Sequence, residues 1–443
     1  MANRDLTIGE PGRIIRSYCL PLFGSVFFQQ LYNLADSFVA GRFIGEDALA
    51  AVGNGYEITL IFLAVAFGCN TGCSVAAARH FGAKRYDRLR TAVSTALLAA
   101  ACLCALLMLF GLTLTAPLLR LIRTPAILFD DSRAYLRIYT LGAPFLFFYN
   151  ISNGIFSALG DSRTPLRFLA ASSCANIALD IFFVARLGWG VAGVGWATLI
   201  CQGAACVPAF ILAMRRLKKL PDAGAHPLVT RASLKDFLAI AVPGALQQGV
   251  VAAANIAIQG VVNGYGAAVA AGYSASVKMT NLVTSCFSTI GSGVTNFTAQ
   301  NLGANRPERT RAGFRAAVQL VWAVALGFGL LYELFPDRLV GLFLGGGASE
   351  AALHAGVNYL RVTALFYMIP AFKMTCDAFL CGCSRMKLVV FSIALDLSLR
   401  AGAAALLSAV FAAPTAVWFA WPVGWSIAAC VAACLRRRAL KNA

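Results

Sequence analysis

The sequence predicts an all-α integral membrane protein, built from twelve transmembrane helices in two pseudo-symmetric six-helix bundles. Of its 443 residues, 59% are hydrophobic and only 13% are charged, whereas soluble domains carry about 25% charged residues. Apolar runs of about 18 residues or more recur, and each is long enough to cross a bilayer core of about 30 Å. A soluble chain of this composition has too little polar surface to cover its core. A third observation, an internal repeat, divides the helices into two sets of six.

The apolar runs give the order of the predicted helices. Several exceed the roughly 20 residues that span a bilayer, so we expect tilted helices or extra turns beyond the membrane. The predicted spans cover roughly residues 14–41, 48–78, 91–119, 134–158, 165–185, 190–214, 234–263, 267–298, 312–335, 354–381, 388–411 and 415–435.

The basic residues predict the orientation of these spans. With a cytoplasmic N-terminus, the cytoplasmic segments hold 26 Lys and Arg residues and the outer loops hold six. Cytoplasmic loops of membrane proteins carry the excess of Lys and Arg, so we expect both termini in the cytoplasm. The formal net charge of +18 then needs no nucleic-acid partner, and the basic loops contain no nucleic-acid recognition motif. We expect a multi-pass monomer that is surrounded by membrane lipids.

The two halves of the chain repeat one another at offsets of 221 to 224 residues. Landmarks that keep their order at almost one offset indicate a duplicated unit. The matched landmarks are FGAKRYDRLR from Phe81 with LGANRPERTR from Leu302, Pro21 with Pro243, Tyr135 with Tyr359, and Gly160 with Gly382.

The repeat predicts an N-terminal six-helix lobe at residues 1–214, a charged cytoplasmic linker at 215–233 and a C-terminal six-helix lobe at 234–443. Because six is even, both lobes have the same orientation, and an axis along the membrane normal relates them. Two such lobes around a central cleft suit transport by alternating access.

Polar residues in the apolar spans of the N-terminal lobe predict a cation site. A carboxylate at the bilayer centre costs about 2.5–3.5 kcal/mol on insertion scales, so such residues mark transport pathways. Asp36 is near the outer end of the first span, Asn176 and Asp180 are one helical turn apart on the fifth, and Thr198 is in the sixth. Their oxygens suit a small hard cation, and two nearby carboxyls also suit a shared proton. The alternative is that Asn176 and Asp180 only bond neighbouring helices.

The C-terminal lobe lacks this set of ligands, so we expect one-sided cation chemistry. The repeat places Ile258, Ser398 and Gly402 at the positions of Asp36, Asn176 and Asp180.

Four other charges of the C-terminal lobe form two predicted ion pairs, Lys373 with Asp377 and Asp396 with Arg400, each four residues apart. Glu57 and Lys278 occupy equivalent positions of the two lobes. They either pair across the lobes or line a wet cavity separately.

The fourteen cysteines and three histidines do not predict a disulfide framework or a metal centre. Most cysteines lie in spans, where Cys behaves as a small apolar residue. The histidines, at positions 80, 226 and 354, are far apart in sequence. The sequence has neither an HExxH nor a GxSxG motif, so we expect no cofactor and no enzyme active site.

Several motifs together carry a family resemblance over essentially the whole chain. Pro21 precedes Asp36 by fifteen residues in a segment that continues LYNLADSFVAGRFIGEDALAAVG. The FGAKR and LGANR loops, SALGDSRTP, and Asn176-x3-Asp180 followed by Thr198 complete the pattern. The sequence resembles the multidrug and toxic compound extrusion (MATE) family, and is similar to its prokaryotic subgroup of DNA-damage-inducible protein F.

The resemblance implies two six-helix lobes in a V shape, in a prokaryotic inner membrane, and export driven by cation uptake. It implies that Asp36, Asn176, Asp180 and Thr198 bind H⁺ or Na⁺, with no other metal. It also implies that the first helix bends at Pro21, which lacks a backbone donor.

Two departures from the family pattern affect these expectations. Some members use a glutamate in the seventh helix, where this chain has Gln247 and Gln248, so a mechanism based on that glutamate is not expected. The proline that often follows the fifth-helix aspartate is replaced by Ile181.

A substrate pathway is predicted from polar positions near aromatic residues of the first and fourth spans. Apolar walls with a few polar groups suit organic cations, partly through cation–π contacts; the alternative is that these aromatics pack or face lipid. Gln29 and Asn153 match pocket positions in the resembled subgroup. The predicted pathway residues are Gln29, Tyr32, Asn150, Asn153, Glu57 and Lys278.

We therefore predict a secondary active multidrug exporter, an antiporter of hydrophobic or cationic organic compounds against H⁺ or Na⁺. A flippase for lipid-linked saccharides, within the same superfamily, is the first alternative. An intramembrane enzyme and a passive channel are more remote alternatives.

Overall fold

The computed structural model describes residues 5–39, 46–121, 124–221, 226–344 and 349–441, except for the side chains of residues 31–57 and 441. Every regular element in these ranges is a helix. A π-helical turn, Phe182–Arg186, follows the fifth helix. The α-helices are α1 Pro11–Val39, α2 Glu46–Gly82, α3 Tyr86–Leu121, α4 Ala126–Ala158, α5 Arg163–Ile181, α6 Gly190–Lys218, α7 Arg231–Asn263, α8 Ala267–Gly303, α9 Pro307–Leu334, α10 Pro336–Leu344, α11 Glu350–Ala364, α12 Met368–Gly382, α13 Met386–Phe411, α14 Pro414–Val417 and α15 Ala420–Lys441.

Helices lie at all twelve predicted spans. Within the described ranges, length and composition alone qualify eight helices as membrane spans, or nine when a bent pair counts as one. That pair, α11 and α12, forms the tenth predicted span with a bend of 58°. Pro370, in the first turn of α12, has no backbone N–H and its ring crowds the carbonyl four residues earlier, which favours a bend at this place. The sequence did not predict this break or the short helix α10.

The chain divides into two compact units. The first unit contains Leu20–Ala245, and the second contains Leu6–Cys19 together with Leu246–Ala443. The first turns of α1 therefore belong to the second unit, where the Leu6 N–H donates to Gln300 Oε1 at 2.9 Å. The first turns of α7 belong to the first unit, where Gly68 lies directly against the Ala241 carbonyl. Both changes of unit occur within three residues of the paired prolines, Pro21 and Pro243.

The two units use one packing scheme. In the first unit, α4 packs against α2, α3 and α6, and α5 packs against α6. In the second unit, α11 and α12 pack against α8 and α9, α12 packs against α15, and α13 packs against α15. These pairs match when α11 and α12 together take the place of α4, and when α13 and α15 take the places of α5 and α6.

Four helix ends show the duplication in atomic detail. Each ends in a left-handed residue with a φ of 57–76°, and each closes with the hydrogen bonds of a Schellman cap. The bond from Arg85 N–H to the His80 carbonyl, for example, has its equivalent in Arg306 N–H to the Asn301 carbonyl. The left-handed residues are Lys84, Gly160, Asn305 and Ser384.

These caps correct the residue-by-residue correspondence between α5 of the first half and α13 of the second half. Gly160 corresponds to Ser384, not to Gly382, so the local offset is the 224 residues that also separate Tyr135 and Tyr359. The expected equivalents of Asn176 and Asp180, Ser398 and Gly402, are exposed although Asn176 and Asp180 are buried. In the corrected register the equivalents are Arg400 and Ala404, and Ala404 is buried like Asp180. The first expectation was wrong because matched glycines do not share a backbone conformation here.

Candidate cation site and buried charge network

Helices α5 and α6 form an antiparallel pair that places three predicted cation ligands at one contact. Ser172 Oγ donates to the Cys201 carbonyl at 3.2 Å. Eleven residues further along α5, Phe183 lies so close to Gly193 that a methyl group there would be 3.2 Å from Phe183 Cβ. Asn176 and Asp180 lie between these contact points on α5, as Thr198 does on α6. The α5–α6 contact therefore groups them at neighbouring levels.

The three side chains are shielded from solvent. Asn176, Asp180 and Thr198 are 1%, 0% and 5% exposed, respectively. Between Arg167 and Arg186, and between Arg186 and Arg215, the sequence has no Lys or Arg. The stretches of α5 and α6 between these arginines therefore contain no basic residue.

The helix containing Asp180 changes geometry immediately after it. The Leu187 N–H donates to the Phe182 carbonyl at 3.1 Å, five residues back, and the ring of Phe183 stacks on Trp189 at 4.9 Å. Turns of this π type are rare and frequently occur at functional sites. In the resembled family a proline often follows the aspartate of the fifth helix. This chain has Ile181 at that position, and α5 ends there in the wider π turn.

The other predicted residues of the first lobe fall into two groups. Some have side chains that the structure does not describe, and the others are on helices other than α5 and α6. The side chains of Tyr32, Asp36 and Glu57 are among residues 31–57, which the structure does not describe. Pro21 lies inside the continuous helix α1, and Gln29 is exposed on the same helix. The proposed bend at Pro21 and the role of Asp36 stay predictions.

The two predicted asparagines of α4 have different surroundings. Asn150 Nδ2 donates to the Leu146 carbonyl at 2.9 Å, and Asn150 Oδ1 accepts a long bond of 3.5 Å from Asn70 Nδ2 of α2. Asn153 lies beside Tyr149, and the buried Tyr149 hydroxyl and Asn153 Oδ1 are placed to share a hydrogen bond. Asn70, a lone amide in an apolar span, is a polar contact that the sequence analysis missed.

Two further features lie apart from these residues. Lys278 is exposed on α8 of the second unit. A cavity of about 210 Å³ opens between α2, α3 and α4, but it includes none of the predicted pathway residues. The cavity is lined by Ile58, Ile61, Phe62, Leu107, Phe110, Gly111, Thr115, Leu118, Leu136 and Thr140.

The second unit contains a buried network of four charges, which we call the charge network: Lys373, Asp377, Asp396 and Arg400. Lys373 Nζ is 2.8 Å from Asp377 Oδ2, and the Arg400 guanidinium donates two bonds of 3.1 Å to Asp396. Both predicted ion pairs are therefore confirmed. The sequence did not predict that Lys373 Nζ also lies 3.8 Å from Asp396 Oδ2, which joins the two pairs. Helical spacing shows pairs within one helix, whereas this link connects α12 with α13.

A second buried carboxylate anchors the loop between α4 and α5. Asp161 Oδ1 accepts the backbone N–H groups of Arg163 and Thr164 at 2.9 and 3.0 Å, and Arg216 of α6 pairs with Asp161 Oδ2. Burial alone raises the pKa of Asp161, but the Thr164 bonds and the Arg216 charge outweigh it and hold that pKa below its usual value. Arg216 also lies 5.1 Å from the centre of the Phe156 ring. The GDSRTP motif is therefore a structural joint between α4, α5 and α6.

Comparison with known proteins identifies the family. A family model described as MatE matches residues 21–182 and 243–406, which together make up more than half of the chain. The chain belongs to the MATE family. The two matches begin at Pro21 and Pro243, the prolines that the repeat pairs, and members of this family are multidrug efflux transporters. The resemblance noted in the sequence is thus confirmed at the level of the family.

Curated relatives cover most of this MATE protein. The probable multidrug resistance protein YoeA of Bacillus subtilis (strain 168) is 27% identical over 372 residues, covering 81% of this chain and 78% of the relative. A protein of Shewanella oneidensis named FAD transporter is 24% identical over 348 residues, covering 77% of each chain.

Solved structures confirm the twelve-helix, two-lobe fold of the MATE protein. An "outward-facing conformation of a multidrug resistance MATE family transporter of the MOP superfamily" superposes with a TM-score of 0.93 over 100% of both chains, at 23% identity. A MOP superfamily transporter from Pyrococcus furiosus, described by the "reverse polarity" of its binding pocket, gives a TM-score of 0.92 over 100% of this chain and 99% of its own, at 22% identity. At these identities the likeness shows the fold alone.

Proposed function

We propose that this MATE protein is a cation-coupled antiporter that exports hydrophobic or cationic organic compounds by alternating access. The observation that carries the proposal is the fully buried Asp180 on the α5–α6 pair, which also contains the buried Asn176 and Thr198. A carboxylate at this level is costly and occurs where it serves transport. Carboxylate, amide and hydroxyl oxygens are ligands that suit an external H⁺ or Na⁺.

The proposed cycle uses the protonation or occupancy of two carboxyl groups. Asp36, on α1, supplies the second carboxyl, and two nearby carboxylates cannot both stay charged cheaply, so one cation is held jointly. Uptake of the cation from outside neutralises the pair, shifts α1 and releases substrate; loss of the cation to the inside resets the protein. The different cation affinities of the two states drive the cycle, and Pro21 is the proposed hinge of α1.

The residues of the proposed substrate pathway lie on α1, α2 and α4 of the first unit and on α8 of the second. They are Gln29, Tyr32, Glu57, Asn150, Asn153 and Lys278. The buried oxygens of Tyr149 and Asn153 support a polar contact point on α4. Because one relative is named FAD transporter, an aromatic dinucleotide is included among the compounds to be tested.

We infer that the protein lies in the cytoplasmic membrane of a prokaryote with both termini inside, as a monomer, and moves its substrate chemically unchanged. The support is the distribution of Lys and Arg, 26 cytoplasmic against six outer. A cysteine-accessibility experiment on tags at the two termini tests the orientation.

The decisive experiment measures export of an organic cation from proteoliposomes while the pH gradient and the Na⁺ gradient are imposed separately. We expect one gradient to drive export, and Asp180→Asn and Asp36→Asn each to lower the driven rate at least tenfold. Asp131→Asn, an exposed carboxylate on α4, is the matched control and keeps the rate. Wild-type export by both site variants overturns the cation site.

The same preparation separates the alternative activities. Flux that continues without either gradient and rises with voltage indicates a channel. Movement of a lipid-linked saccharide without organic-cation export indicates a flippase. Chemical alteration of any transported compound indicates an enzyme.

A further inference from the structure

The charge network of the second unit has the geometry of an occupied cation site. Lys373, Asp377 and Asp396 are 3%, 6% and 5% exposed, so all three charged groups are removed from water. Lys373 Nζ lies between two carboxylates, at 2.8 Å from Asp377 Oδ2 and 3.8 Å from Asp396 Oδ2. We propose that Asp377 and Asp396 form a monovalent-cation site of Na⁺ type, and that the ammonium of Lys373 occupies it as a built-in cation.

The site offers more oxygen atoms than the ammonium uses. Ser392 of α13 lies beside the Asp377 carboxyl. Ser392 Oγ and Asp377 Oδ1 are both buried, and the Ser392 hydroxyl is placed to donate to the Asp377 carboxylate. The Asp377 carboxylate therefore has a hydroxyl beside it in addition to the ammonium of Lys373. Carboxylate and hydroxyl oxygens around one point are ligands of a hard cation.

The net charge of the network shows which ion is needed when Lys373 is removed. Arg400 already neutralises Asp396 through two hydrogen bonds, which leaves one negative charge for Lys373 to balance. Removing only the Lys373 charge leaves a buried net charge of −1, which is strongly unfavourable unless another cation restores the balance. One monovalent cation is sufficient for that.

The scaffold itself does not require these charges. The register set by Tyr135 with Tyr359 and by Gly160 with Ser384 gives each of the four residues an equivalent in the first unit, and all four equivalents are neutral. In the order Lys373, Asp377, Asp396 and Arg400, the equivalents are Tyr149, Asn153, Ser172 and Asn176. The charge network is therefore an addition of the second unit. With Lys373 in place, the second unit takes up no external cation at this site.

The test follows the thermal unfolding of the purified full-length protein in detergent, with NaCl replacing choline chloride at constant pH and ionic strength. We expect Lys373→Met to melt below wild type in choline. Its melting temperature then rises by a few degrees for each tenfold increase in Na⁺, as a ligand that binds only the folded state requires. The wild-type melting temperature does not respond to this exchange of ions.

Matched variants separate a cation site from general destabilisation. Asp377→Asn breaks the same ion pair but leaves an excess positive charge, so it melts lower and does not respond to Na⁺. Lys373→Met with Asp377→Asn restores the charge balance and also shows no Na⁺ response. Lys387→Met removes an exposed lysine of the same unit and behaves as wild type.

Two results overturn the proposal. The first is a Lys373→Met melting temperature that does not depend on Na⁺, including one that only acidification raises. The second is an equal Na⁺ response in Asp377→Asn. If Lys373→Met yields no folded protein, Lys373→Gln is judged by the same criteria. Repeating the series with Asp180→Asn removes the carboxyl proposed for the first unit, so the outcome does not depend on the proposed transport mechanism.

Discussion

The two units place opposite chemistry on the same four positions of one duplicated scaffold. In the first unit the positions hold Tyr149, Asn153, Ser172 and Asn176; in the second they hold Lys373, Asp377, Asp396 and Arg400. The first set is polar and neutral, and the second set contains two positive and two negative charges joined by distances of 2.8 to 3.8 Å. The packing of the helices is therefore compatible with either set.

The two units also differ at the position of the proposed cation-binding carboxylate. Asp180, one turn beyond Asn176, has no Lys or Arg in the membrane-level parts of its own helix or of α6. The equivalent position in the second unit is the buried Ala404. A carboxyl that binds a transported cation changes its charge with the ions around it, whereas the balanced charges of the second unit resist such a change. Exchanging these arrangements by mutation tests the comparison.

The largest effect is expected from breaking the charge network. Asp396→Asn leaves Lys373 and Arg400 with one carboxylate between them, and removing one partner of a buried pair costs about 3–5 kcal/mol. The free energy of unfolding, measured by denaturant titration in detergent, gives the cost. Asp337→Asn is the matched control, because its ion pair with Arg361 is 3.8 Å long and more than half exposed; such a pair contributes about 0–1 kcal/mol.

Asp180→Asn provides the corresponding measurement for the first unit. It strands no basic residue of α5 or α6, so we expect a smaller loss of unfolding free energy than for Asp396→Asn. A loss as large as that of Asp396→Asn contradicts the distinction between a balanced and a responsive carboxylate.

The next effect concerns acid stability and belongs to the first unit. The pKa of Asp161 is held below its usual value in the folded protein, so the ionised carboxylate stabilises the fold at pH values above the unfolded-state pKa. That contribution is lost as the pH falls through the lowered, folded-state pKa. At neutral pH we expect Asp161→Asn to cost about 1.5–3 kcal/mol, the range for hydrogen bonds to charged groups.

Thermal melts between neutral and acidic pH check this expectation. The difference between wild type and Asp161→Asn shrinks as the pH falls below about 4, the usual value for aspartate. Asp131→Asn, exposed on α4, serves as the control for general effects of removing an acidic residue. A difference that stays constant down to the lowest pH contradicts the assignment to the ionised carboxylate.

A third effect compares close helix contacts in the two units. At Gly272 of α8, an added methyl group meets the Ala352 carbonyl and lies 2.8 Å from the Gly356 nitrogen, both backbone atoms of α11. At Gly111 of α3, it meets side-chain atoms of Thr140 and Phe62, beside the 210 Å³ cavity. Side chains that line a cavity can shift to make room for the methyl group. A close contact between two helix backbones is relieved only if the whole helices move apart.

We therefore expect Gly272→Ala to cost about 1–3 kcal/mol, the usual range for overpacking, and Gly111→Ala to cost less. Gly327→Ala, where an added methyl group meets nothing within 4 Å, is the control and is neutral or slightly stabilising because Ala favours helices. Unfolding free energies in one detergent rank the three variants. Equal losses for Gly272→Ala and Gly327→Ala contradict the close contact.

The spans and their repeat could be predicted from the sequence because both depend on local pattern. Membrane helices need long apolar runs, and duplicated loops keep similar residues. The register of α13 could not be predicted from Gly382 alone, since the backbone conformation of Gly160 is taken by Ser384 and not by another glycine. The bend between α11 and α12 had a visible signal in Pro370, but other prolines of the chain lie inside continuous helices.

The candidate sites divide in the same way. The ion pairs Lys373–Asp377 and Asp396–Arg400 could be predicted from their i, i+4 spacing on a helix. The link between Lys373 and Asp396, and the contact between Asn70 and Asn150, join residues of different helices, so only the fold reveals them. The grouping of Asn176 and Asp180 with Thr198 required adjacent α5 and α6, which the structure shows; the side chain of Asp36 lies outside the described residues.

The smallest effect concerns the start of the tenth span. In the second unit, α11 begins after Ser349, whose Oγ accepts the Ala352 N–H at 3.3 Å. In the first unit, the equivalent helix α4 begins after Pro125, which supplies no side-chain cap. Loss of a serine N-cap costs about 1 kcal/mol, so Ser349→Ala lowers the unfolding free energy by that amount, whereas Ser274→Ala, at an exposed position of α8, changes it by less than about 0.5 kcal/mol. Hydrogen exchange of the first turn of α11 localises the loss. Unchanged exchange there means that neighbouring packing, and not the cap, holds this end of the helix.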